Sequence, residues 1–137
     1  LNGALGLEGG AIGIDGLTFQ RLHGGLLAPL AFVMGIPWSE ATTVGSLMGV
    51  KTVLNEFLAY QELGVLVADG ALSPRSAVIA SYALCGFANF GSLAILIGAM
   101  ESVAPGRRSD IASMGLLSIL SGSLATFMTG CIAGLLL

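Results

Sequence analysis

Charge is scarce in this chain: Asp, Glu, Lys and Arg make up 9% of its 137 residues, against about 25% in an ordinary soluble domain. So few charges cannot furnish a water-facing surface, and lipid or partner helices must surround the fold. The five basic residues form no stripe and leave a net charge of −3, which excludes nucleic acid as a partner. Cysteine and histidine are nearly missing as well. Cys85 and Cys131 lie in separate apolar runs with no Cys-x-x-Cys, and His23 is the one histidine. Neither a disulfide framework nor a metal-ligand set follows from them. The thiols read as small hydrophobes and His23 as a structural or interfacial residue. No serine has a histidine or lysine arrangement suited to nucleophilic catalysis, so an enzyme is not expected. The chain starts at Leu1 with no charged segment, apolar run and cleavage site behind it. It reads as a piece of a longer protein whose N-terminal part is absent.

What is abundant is apolar and small. Hydrophobic residues make up 55%, the mean hydropathy is +0.92, and 21 residues are glycine. Small residues let helices approach closely in a bilayer, where no hydrophobic force draws them together. Gly45/Gly49 and Gly130/Gly134 have the small-xxx-small spacing that suits such packing.

The polar residues divide the chain into segments. Residues 1–17 are a glycine-rich connection. Residues 18–36 carry Arg21 and His23 early and an apolar stretch later, which predicts an interfacial helix that Pro29 kinks or ends. Pro37 then marks a restart, with Ser39 available as an N-cap and Trp38 suited to a membrane interface. Residues 38–68 are apolar on average yet hold Lys51, Asn55, Glu56, Gln61 and Glu62, which forbids a clean lipid-facing span. Two short helices meeting near Leu54-Asn55-Glu56 account for this as a re-entrant hairpin with a buried tip. The alternative is one long helix whose polar stripe faces the bundle interior. Residues 75–100 form a transmembrane helix broken at Cys85-Gly86-Phe87-Ala88-Asn89-Phe90-Gly91-Ser92, the kind of interruption that lines binding sites in transporters. Residues 108–137 form the last transmembrane helix, since the run from Ile111 onward is uncharged and long enough to span. The expected fold is an all-α polytopic membrane protein.

Glu56 is the carboxylate placed deepest in this arrangement, and intramembrane ionisable residues are functional by default. Lys51, five positions earlier, is poorly spaced to neutralise it, because a helix pairs residues three or four apart. A carboxylate accepts two hydrogen bonds at once, which matches the adjacent hydroxyls of a sugar. Asn89 adds donors and an acceptor, and Ser92 a hydroxyl. Phe87 offers a flat apolar face, with Asn55 and Phe90 as supporting residues. Each of these groups also has a plain packing role available to it. The competing function class is a structural or assembly component of a membrane complex, its polar residues used only to tie helices together. An intramembrane enzyme with Glu56 as base would need a second catalytic group that the sequence does not offer.

Several strings occur in a fixed order: Gly35-Ile-Pro-Trp-Ser-Glu40, Gly49-Val-Lys-Thr-Val-Leu-Asn-Glu-Phe-Leu-Ala-Tyr60, Leu72-Ser-Pro-Arg-Ser76, Tyr82-Ala-Leu-Cys-Gly-Phe-Ala-Asn-Phe-Gly-Ser92 and Ala104-Pro-Gly-Arg-Arg-Ser-Asp-Ile-Ala112. Together they resemble the C-terminal part of the concentrative nucleoside transporters, across nearly the whole chain. The resemblance implies a homotrimeric, multi-pass symporter of the cell membrane. Its transport domain, containing these elements, moves across the membrane against a scaffold, and its partners are the rest of the same chain and membrane lipid. It implies that Glu56, Asn89 and Ser92 contact the ribose of a nucleoside and that Phe87 lines the site. It also implies that no cofactor is used, and that the coupling ion, sodium or proton, binds mainly outside this segment, which holds no metal site. The sequence departs from the family pattern at Gly106, where a glutamate is common, and at Leu117, where an arginine often lies.

Overall fold

The computed structural model describes residues 19–137, and the connection expected over 1–17 lies outside them. The described residues form seven helices: α1 Phe19–Val33, α2 Trp38–Val53, α3 Glu56–Ala68, α4 Pro74–Leu84, α5 Phe90–Val103, α6 Arg108–Ser113 and α7 Gly115–Leu136. The all-α class is as expected. Helix α7 alone is long and apolar enough to cross a membrane, while α1 and α2 meet at a bend of 118°.

Both interruptions are built the same way. Helix α2 stops at Leu54 (φ −98°, ψ −91°). Asn55 is then extended, and its Oδ1 accepts the Leu58 amide at 3.0 Å to start α3. In the second break α4 stops at Leu84. Asn89 is extended, and its Oδ1 accepts the Ser92 amide at 2.7 Å to start α5. A short side-chain acceptor on an extended residue satisfies an orphan N–H of the next helix, which is why asparagine serves at both places. Residues 38–68 are two helices, α2 and α3, joined at a tip at Leu54–Asn55 and called the hairpin below, and the single long helix is ruled out.

Four local expectations are corrected. Helix α1 is not ended at Pro29 and runs on to Val33, the helical pattern continuing past the proline in bonds such as that of the Met34 amide to Leu30 O at 3.1 Å. Ser39 does not cap α2, because Pro37 is the N-cap and the helix begins at Trp38. The last helix over 108–137 is two helices, separated at Met114, where the Met114 amide donates to Ile111 O in a tighter three-residue turn. Cys85 is exposed in the break rather than packed as a hydrophobe, whereas Cys131 is half-buried. Gly106 adopts φ +82°, a left-handed turn that favours glycine over the family's glutamate.

Helix α2 lies at the centre, with Ala41, Val44, Leu47 and Met48 fully buried. Its approach to α1 depends on glycine: a Cβ at Gly45 would sit 2.7 Å from Gly24 O and 2.9 Å from Ala28 N. At the far side of the fold Gly134 lies directly against the Met34 carbonyl. Both glycine pairs therefore serve close packing. Gly45→Ala should lower stability by about 1–3 kcal/mol, the usual cost of overpacking. Gly64→Ala, where nothing lies within 4 Å, should be neutral or stabilising by up to about 1 kcal/mol. Thermal unfolding of the two variants checks the contrast.

The base of the hairpin is tied by polar side chains. Glu40 Oε2 accepts the Ser73 amide at 3.2 Å and the Ser73 hydroxyl at 3.1 Å. Arg75 donates through Nε to Gly35 O at 3.5 Å and through Nη2 to Gly134 O at 2.5 Å, joining the α1–α2 corner, α4 and α7. Glu40→Ala removes the acceptor of both Ser73 donors and should lower the melting temperature, by about 1–3 kcal/mol of stability; an unchanged melting temperature would count against the tie.

Candidate functional site

The two capped breaks come together. The tip of the hairpin, the unwound segment before Asn89, α5 and α7 enclose an open groove of about 910 Å³. Glu56, Asn89 and Ser92 all lie on it, with Asn55 and Phe87. The remaining wall is apolar, from Leu93 and Leu96 of α5 and Ile119 of α7.

Asn89 is the keystone. It is 1% exposed, its Nδ2 donates to Glu56 Oε2 at 2.9 Å, and its Oδ1 accepts the Ser92 amide. A donor is required on one side and an acceptor on the other, so the orientation of the amide is fixed. Glu56 is half-buried in the first turn of α3, where the N-terminal end of the helix favours a negative charge. Ser92, in the first turn of α5, is half-buried on the same wall. Two half-helices thus direct their N-terminal ends at one polar corner.

Phe87 is 77% exposed, with its ring unpacked at the lip of the groove. Phe90 does not line the groove and is itself partly exposed. Asn55 lines it while spending its Oδ1 on the α3 cap. Two features were missed in the sequence. The α7 wall at Ser118, Ile119 and Gly122 was signalled only by the small-xxx-small spacing of Ser118 and Gly122. Lys51 was weighed only as a partner for Glu56, and it is fully buried and donates to Thr126 Oγ1 of α7 at 3.3 Å.

A carboxylate, a carboxamide and a hydroxyl held at one end of an apolar groove can hydrogen-bond a neutral, hydroxyl-rich ligand whose other part is flat and apolar. Known proteins agree with a carrier. The family described as "Na+ dependent nucleoside transporter C-terminus" matches residues 1–134. The chain is 47% identical over 135 residues to the uncharacterized transporter YutK of Bacillus subtilis, covering 98% of this chain and 33% of that protein. It is 41% identical over 149 aligned positions to solute carrier family 28 member 3 of Homo sapiens, covering 99% of this chain and 22% of that protein. A solved structure of CNTnw in an inward-facing, substrate-bound state superposes with a TM-score of 0.83 at 44% identity, over 98% of this chain and 31% of that one. The chain spans a third or less of the length of these relatives. It is an all-α membrane protein that belongs to the sodium-dependent nucleoside transporter family and corresponds to its C-terminal region.

Proposed function

We propose that this chain is the ribose-binding half of a cation-coupled nucleoside symporter of the cell membrane. The observation that carries the reading is the hydrogen bond from Asn89 Nδ2 to Glu56 Oε2, which joins the hairpin tip to the broken helix at the polar end of the groove. A carboxylate has about four lone-pair sites, so after accepting from Asn89 it retains acceptors for the adjacent hydroxyls of a ribose. Ser92 stands within the same corner. The exposed ring of Phe87 offers a face to the sugar or the base. The apolar walls suit the rest of a nucleoside, and the relatives named as nucleoside carriers support the substrate class.

The rest of the carrier is part of the same proposal. Helix α5 buries none of its residues, and large apolar side chains along α7, Leu116, Leu120 and Leu124 among them, are exposed. These faces suit an N-terminal part of the chain, further copies in a homotrimer, and lipid. The coupling ion, sodium or proton, is assigned to that other part.

Uridine uptake by the intact carrier in proteoliposomes tests the proposal. Uphill uptake driven by an imposed sodium or proton gradient is expected, and the effective gradient identifies the coupling ion. A well-folded carrier that takes up no nucleoside under either gradient would overturn it.

A further inference from the structure

Lys51 is the largest fully buried side chain of the described residues, at 0% exposed. A buried ammonium carries a desolvation penalty of several kcal/mol unless its surroundings offset it. Here the surroundings are arranged to do so. Nζ donates to Thr126 Oγ1, and the Thr126 hydroxyl in turn donates to Ser123 O at 2.9 Å, which turns its lone pairs toward the lysine. The Phe127 ring centroid is 5.5 Å from Nζ, within reach of a cation–π attraction.

The backbone around Lys51 completes the pattern. Lysine 51 lies in the last turn of α2, and α4 ends beside it at Cys85. A Cβ on Gly86 would stand 3.8 Å from Nζ and 2.5 Å from Thr126 Cγ2, so the unwound chain passes directly alongside. The C-terminal ends of helices leave carbonyls unsatisfied and carry partial negative charge. In broken-helix carriers such ends and the unwound carbonyls between them attract a mobile cation. Lys51 thus sits where the last turn of α2, the unwound chain after α4 and α7 meet.

We infer that the Lys51 ammonium is a built-in cation of this segment, docking the hairpin tip on α7 through Thr126. Lys51 is a positioning residue: it holds α2, the unwound 85–89 segment and α7 in the register that brings Glu56 to Asn89. This tether does not depend on the transport reading.

The test uses the intact carrier purified in detergent. Lys51→Ala removes the ammonium and leaves a cavity of its shape. Its melting temperature should fall, and ethylammonium chloride should raise it again, while leaving the wild type unmoved. Tetramethylammonium chloride at equal concentration, bulkier and without an N–H donor, should restore nothing. An unchanged melting temperature, or equal responses to the two salts, would overturn the inference. If Lys51→Ala does not fold, Thr126→Val keeps shape and charge but removes the acceptor, and it should melt lower. Thr126→Val with wild-type melting would equally refute it. Failure of the wild type to carry uridine strikes the transport reading alone, because the melting experiments still decide this one.

Discussion

Glu56→Gln in the intact carrier should weaken nucleoside affinity by roughly 10- to 150-fold, the range set by about 1.5–3 kcal/mol for a hydrogen bond to a charged group. The substitution is chosen for what it leaves intact. A glutamine oxygen still accepts the Asn89 Nδ2 donor that now lies 2.9 Å from Glu56 Oε2, so the contact between hairpin and broken helix survives. The other terminal atom becomes an NH₂ group, and a donor then faces the hydroxyl donors of the ligand. Melting temperature should stay near that of the wild type while affinity falls, and titration of the purified protein with uridine reads both. Binding within twofold of the wild type would remove Glu56 from the site. Glu56→Ala is a blunter change, since it also leaves the buried Asn89 amide without its acceptor.

Asn89→Ala should be the most damaging single change to the site. It deletes the α5 cap, which is the Oδ1 acceptor of the Ser92 amide, at a cost of about 1 kcal/mol, and it removes the Nδ2 donor to Glu56, a further ~1.5–3 kcal/mol. Uptake should be abolished and the melting temperature lowered together. Asn89→Asp separates the two effects. Aspartate caps a helix about as well as asparagine, so α5 should persist, but a carboxylate now faces Glu56 and the donor is gone. Pairing Asn89→Asp with Glu56→Gln inverts the hydrogen bond, the glutamine donating and the aspartate accepting. The double variant should recover the melting temperature of the wild type and none of its nucleoside affinity. Recovery of affinity as well would mean that the polar corner ties helices and does not read a ligand.

The class of the fold and the position of the polar corner were legible because polar residues are conspicuous in so apolar a chain. Asn55, Glu56, Asn89 and Ser92 stand out against their neighbours, and each asparagine marks the start of a helix by a rule of local chemistry. Errors arose where a signal depends on space. Pro29 disfavours a helix locally, yet α1 runs on past it to Val33. Ser39 is a good cap by type, but Pro37 had already fixed the entry to α2. Lys51 was unreadable for a different reason: its acceptor, Thr126, lies 75 residues away along the chain, and nothing on its own helix announces that it is buried.

The ties at the two ends of the hairpin are unequal, and that inequality sets populations. At the base, Glu40 and Arg75 together make four hydrogen bonds to three other parts of the fold. At the tip, two side-chain bonds reach other helices, Glu56 with Asn89 and Lys51 with Thr126. With half as many ties the tip should part more often than the base, which hydrogen exchange of the amides following Asn55 and Ser73 would read as faster opening at the first of the two.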